Sequence, residues 1–129
     1  MLGLPKHSDS SLITILQGDA PGLQVLKDEK WLPIDLAPSA FVVNIGNILY
    51  FISNGKLNSS KHRVVTHKKV ARTTITSIIY PSSSFSIEPT KKLIANASPL
   101  YQPFMFRDFV PAHVVDTQDG KCPLDRYKL

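Results

Sequence analysis

Short runs of β-branched and apolar residues, broken every few positions by turn formers, restrict the fold of this chain more than any other feature. Leu12-Ile13-Thr14-Ile15-Leu16 has the composition of a buried strand. Gly22 to Leu26 alternates, Lys27-Asp28-Glu29-Lys30 supplies a polar tip, and Trp31 to Ile34 runs back, which is a hairpin pattern. Ala40 to Ile45 reads as another strand, ended by Gly46 and followed by one helical turn over Asn47 to Ile52. Ser53-Asn54-Gly55-Lys56 marks a turn, because Asn and Gly accept positive φ. Two further strands are predicted around His62 to Thr66 and Arg72 to Tyr80, separated by the basic tip His67-Lys68-Lys69. Beyond Pro81 and the Ser82-Ser83-Ser84 loop the pattern weakens. Phe104 and Phe106 to Asp108 suit a short packing helix, and residues 111–129 read as a polar, flexible tail. Many short strands joined by turns predict an all-β fold, a sandwich or a barrel of jelly-roll type, over residues 1–110.

At 129 residues the chain is about one domain long, and 43% hydrophobic against 19% charged residues excludes a disordered polymer. The net charge of +5 permits an anionic partner without requiring one. Cys122 is the single cysteine, so neither an internal disulfide nor a cysteine zinc cluster can form, and a reducing compartment, the cytoplasm, is expected. The longest apolar runs, such as Ile48 to Ile52, are too short to span a bilayer, and the first residues lack a secretory stretch.

Two small constellations carry chemistry. In an extended His7-Ser8-Asp9 segment, the imidazole and the carboxylate share a face. With His62, at the opening of a later strand, they would make the two-histidine, one-carboxylate facial set of non-haem Fe(II) oxygenases. Imidazole suits Fe(II), one carboxylate offsets part of its charge, and three coordination positions stay open. From spacing alone, His-x-Asp also recurs by chance, and a histidine at a turn equally serves as a solvated residue. Arg72 and Thr74, about 6.6 Å apart on one face of a strand, make a carboxylate clamp of guanidinium plus hydroxyl. Their plain alternative is an exposed arginine beside β-favouring threonines.

Taken in order, these segments resemble the plant-type 2-oxoglutarate- and Fe(II)-dependent dioxygenases, most closely their flavanone 3-hydroxylase-like, specialised-metabolism branch. The likeness runs through Leu2 to Asp9, Pro21 to Leu26 with Lys30-Trp31, Phe41 to Gly46, Ser53 to Lys56, His62 to Val65, and Arg72 to Thr74. It implies a double-stranded β-helix, with His7, Asp9 and His62 as iron ligands and with Arg72 and Thr74 on the distal carboxylate of 2-oxoglutarate. It further implies O2 and a small organic molecule as partners, ascorbate in a supporting role, and 2-oxoglutarate converted to succinate and CO2 while the organic molecule is oxidised. A nucleic-acid role for the basic cluster Lys61 to Arg72 is the weaker reading, since several of its residues have better-motivated roles.

Four departures from the family pattern matter. Thr74 stands where serine is usual, which keeps the hydroxyl and adds a methyl group. Asn47 stands where aspartate is usual, which puts a loop contact in doubt. Lys61 precedes His62 and is expected to point away from it. Family members are also more than twice this long, so we expect a fragment, a truncated gene model or a degenerate, non-catalytic remnant. An unpaired sheet edge would then leave the isolated chain prone to aggregate. Smaller features have plain readings: Asn58-Ser59-Ser60 and Asn96-Ala97-Ser98 as unused glycosylation acceptors, Trp31 as hairpin packing, Cys122 as a tail thiol, and His67 and His113 as surface residues.

Overall fold

The computed structural model describes residues 1–94 and 97–129. Asn96, the first residue of the second acceptor tripeptide, lies outside the described residues.

Seven strands form two antiparallel sheets. The first has the order β1 (Leu2–His7), β6 (His62–Val65), β3 (Leu23–Lys27), β4 (Lys30–Pro33). The second has the order β5 (Val42–Ile45), β2 (Ile13–Gly18), β7 (Thr74–Ile79). This is the jelly-roll arrangement, and among the described residues no strand pairing closes the two sheets into a barrel. The β3–β4 hairpin turns where expected. Asp28 and Glu29 both have positive φ, 48° and 61°, as a two-residue hairpin turn requires. Among the described residues β7 pairs only with β2, and Ile75, Ile78 and Ile79 on it are exposed, so one sheet edge is open and apolar.

The first register that matters is β1 on β6, where His7 sits opposite His62. The second is the short helix α1 (Asn47–Ile52), which follows β5 through Gly46. Helix N-termini leave unpaired N–H groups, and here the Asp9–Leu12 turn supplies their acceptors. Gly46 N–H donates to the Leu12 carbonyl at 2.9 Å, Asn47 N–H to the Asp9 carbonyl at 2.8 Å, and Ile48 N–H to the Ser11 carbonyl at 3.1 Å. A Cβ on Gly46 would lie 1.9 Å from the Ser11 carbonyl oxygen, so only glycine lets the two segments meet. Asn54 and Gly55, with φ of 55° and 80°, then end the helix at the expected turn.

The main apolar core lies beside the sheets, around Phe51 of α1. Tyr50, Tyr101, Phe104, Phe109 and Tyr127 surround Phe51 with ring centroids at 6.0, 5.0, 4.9, 5.8 and 5.8 Å, all near perpendicular. One of these rings, Tyr127, comes from beyond residue 110, so the segment expected as a polar, flexible tail packs on this core. Residues 106–118 form one helix, α3 (Phe106–Gln118), running through Pro111. Its buried residues Phe106, Phe109, His113 and Asp116 recur every three or four positions and form a single stripe. The stripe escapes a hydrophobicity reading because two of its four members are polar. Arg126 satisfies Asp116 through both oxygens, at 2.7 and 2.6 Å, and Tyr127 in the following turn (Asp125–Tyr127) enters the core. Between β7 and α3 lie three more short elements, β8 (Ser86–Ile87) paired with β9 (Phe104–Met105), and helix α2 (Lys91–Ile94). No helix among the described residues is long and apolar enough to cross a membrane.

Candidate metal centre

His7, Asp9 and His62 meet at the end of the β1–β6 pair. One donor atom from each lies within 4.8 Å of the others. Asp9 Oδ1 is 3.5 Å from His7 Nε2 and 3.4 Å from His62 Nε2. Two donors at right angles around a metal with bonds of about 2.1 Å stand about 3 Å apart, so little movement would bring this set onto one ion. The remaining ring nitrogens are turned to the backbone, His7 Nδ1 to the Pro5 carbonyl at 2.8 Å and His62 Nδ1 to the Ser60 carbonyl at 3.2 Å. A proton fixed on Nδ1 leaves the Nε2 lone pair free for a ligand bond. Asp9 Oδ2 is buried without a hydrogen-bond partner among the described residues. Such an orphaned carboxylate oxygen fits a site that a cation completes.

The electrostatics agree. Burial alone would raise the Asp9 pKa, but hydrogen bonds from His62, His7 and Thr14 hold it well below the usual carboxylate range. The hydrogen bond to Asp9 raises His7 above its ordinary value, against the opposing effect of burial. Asn47, whose departure from aspartate put a loop contact in doubt, donates from Nδ2 to Ser8 Oγ at 3.1 Å, while its Oδ1, the atom it shares with aspartate, is buried without a partner among the described residues. Lys61 is exposed, as expected.

Arg72 lies two residues before β7, and Thr74 is the first residue of that strand. Arg72 Nε donates to the Ala20 carbonyl at 3.2 Å, while its terminal Nη2 and the Thr74 hydroxyl are buried with no partner among the described residues. Buried donors without acceptors fit a carboxylate that both would bind. Gly22, at φ 137°, gives the guanidinium room: a Cβ there would meet the Val65 carbonyl at 2.7 Å and Arg72 Cδ at 3.5 Å. A cavity of about 490 Å³ reaches Arg72 and is otherwise largely apolar, with Leu4, Pro21, Val64 and Val70 in its walls. None of the three metal-site residues lines it. Val64 does, and it shares a face of β6 with His62 two residues away, so cavity and metal centre open on the same side of that strand.

The family model for the 2OG-Fe(II) oxygenase superfamily matches residues 1–81. The chain belongs to this superfamily. Hyoscyamine 6-dioxygenase from Hyoscyamus niger is 40% identical to it over 131 residues, covering 99% of this chain and 38% of the relative. Flavanone 3-dioxygenase 2 from Oryza sativa subsp. japonica is 40% identical over 110 residues, 83% of this chain and 32% of the relative. A crystal structure of JOX2 in complex with 2OG, Fe and JA superposes with a TM-score of 0.90 at 33% identity, over 99% of this chain and 39% of that one. The chain thus spans about a third to two fifths of the length of these superfamily members.

Sequence reasoning named the residues that converge here and misplaced one other histidine. His113, expected at the surface, is buried on α3. The spacing of Phe106, Phe109, His113 and Asp116 is the signal that reveals it, once polar residues are allowed on a buried stripe.

Proposed function

We propose that this chain carries the iron- and 2-oxoglutarate-binding part of a dioxygenase that oxidises a small organic metabolite. The observation that carries this reading is the convergence of two imidazole Nε2 atoms on a carboxylate whose other oxygen is buried and unpaired. His7, Asp9 and His62 would hold Fe(II), and Arg72 with Thr74 would bind the distal carboxylate of 2-oxoglutarate. When bound, this pair with O2 supplies the oxidation: one oxygen atom converts 2-oxoglutarate to succinate and CO2, and the other is used on a substrate C–H bond.

The chain's own residues bind and orient. His7 and His62, with Nδ1 turned to backbone carbonyls, present Nε2 in one tautomer. Asp9, kept ionised at neutral pH, supplies one negative charge and offsets half of a divalent cation. The Arg72 guanidinium and the Thr74 hydroxyl would fix one end of a five-carbon diacid. A small organic substrate is supported by relatives named for hyoscyamine and flavanone and by a similar structure that contains JA.

Anaerobic titration of the chain with Fe(II) and 2-oxoglutarate tests this assignment. A visible charge-transfer band should appear in the wild type and vanish in His62→Ala. The same band in both would remove His62 from the metal site, and no band in either would remove the activity.

A further inference from the structure

The β1–β6 ladder places two of the three candidate ligands and stops short of the third. β1 ends at His7, and His7 opposite His62 is the last pair of its register, so the ladder sets the two imidazoles against each other. Ser8 and Asp9 run on past the strand, and among the described residues no strand pairing reaches them. The main chain that carries the Asp9 carboxylate is therefore placed by whatever grips this two-residue extension. Asn47, the first residue of α1, grips it at two points. Its main-chain N–H donates to the Asp9 carbonyl at 2.8 Å, and its side-chain Nδ2 donates to Ser8 Oγ at 3.1 Å. Rotation of the segment between these two bonds breaks one or the other.

Neither helix chemistry nor packing accounts for this side chain. The start of α1 carries no side-chain cap, so the amide is not spent on the helix's own N–H groups. Asn47 is 0% exposed, and its Oδ1 has no hydrogen-bond partner among the described residues. An unpaired buried carbonyl oxygen is unfavourable, and leucine, of similar length and branching, would fill the same space without one. What the amide does reach is a hydroxyl 39 residues away in the chain, on the residue between two candidate ligands.

We propose that Asn47 is a positioning residue of the metal centre: by holding Ser8 and Asp9 together, it turns the Asp9 carboxylate toward the two imidazoles that the β1–β6 ladder presents. The inference rests on the metal-binding reading above and extends it to a residue that touches no metal. Any residue except proline keeps the main-chain bond to Asp9, so a side-chain substitution at position 47 removes the Ser8 bond alone. Loss of a partner that orients a ligand in this way typically lowers metal affinity by about one to two orders of magnitude.

Co(II) binding to the full 129-residue chain provides the test, read by equilibrium dialysis and by the visible ligand-field band, with thermal melts to confirm folding. Asn47→Leu and Ser8→Ala remove the same hydrogen bond from its two ends. Each should bind Co(II) about tenfold more weakly with an altered band, and the double variant should bind no more weakly than the weaker single one. If Asn47→Leu does not fold, Ser8→Ala, at a half-buried position, carries the comparison with wild type by itself. Wild-type affinity and band in either folded single variant, or losses that multiply in the double variant, would overturn the positioning role while leaving the metal site intact. Absence of Co(II) binding in the wild type, or unchanged binding in His62→Ala, would instead overturn the metal reading and this inference with it.

Discussion

Thr74→Val separates binding from folding, because the two respond with opposite signs. The Thr74 hydroxyl is buried with no partner, and an unsatisfied buried polar group costs about 1–3 kcal/mol. Valine is β-branched like threonine and suits the first position of β7. The methyl that replaces the hydroxyl faces Gly18, which sits directly across from Thr74 in the β2–β7 ladder and presents no side chain there. The ligand-free variant should therefore be more stable, by about 1 kcal/mol or more, which for a chain of this size raises Tm by about 3–5 °C. Binding runs the other way. A hydrogen bond to a charged carboxylate is worth about 1.5–3 kcal/mol, so 2-oxoglutarate should bind about 10- to 150-fold more weakly. Thermal melts with Mn(II), with and without 2-oxoglutarate, read both effects, because a ligand that binds only the folded state raises Tm by an amount that grows with the logarithm of its affinity. Thr74→Ser, which keeps the hydroxyl, should shift neither. A Thr74→Val chain that melts lower without ligand, or that keeps the full 2-oxoglutarate shift, would refute the assignment of this hydroxyl as a waiting donor.

Phe51→Ala should destabilise the chain by about 3–5 kcal/mol, measured by urea unfolding, since it empties a fully buried site ringed by five aromatic side chains. The metal-free and metal-loaded chains should also differ in pH response. With His7 raised by its hydrogen bond to Asp9, the stability from that pair is complete below the ordinary histidine value of 6.5 and is lost as pH rises through the raised value. Metal binding needs the unprotonated ring, so Mn(II) affinity should fall as pH drops through that same value, which calorimetry at pH 6 and pH 8 would detect.

Much of the fold was legible in the sequence because its strands are short, β-branched and separated by turn residues with a stated geometry. The Lys27–Lys30 tip turns where its pattern places it, and the Asn54-Gly55 stop adopts the positive φ that its residues suggest. The ligand set was legible as residue types and became a site only through the β1–β6 register that sets His7 opposite His62. The segment beyond residue 110 was misread for a physical reason. Pro111 argues against a helix, and His113 and Asp116 lower the apparent hydrophobicity of a stripe that is nonetheless buried. Arg126, ten residues further on, makes the burial of Asp116 tolerable, and no local pattern announces such a pairing. Arg72, expected on the strand with Thr74, precedes it.

The way α1 begins has one more consequence. Because three amides at its start are bonded to carbonyls of the Asp9–Leu12 turn, the shape of that turn is fixed by protein groups alone. An ion that departs would leave a mould behind, not a slack loop, so loss of iron should be an ordinary reversible exchange and a stripped chain should reload on simple addition of metal.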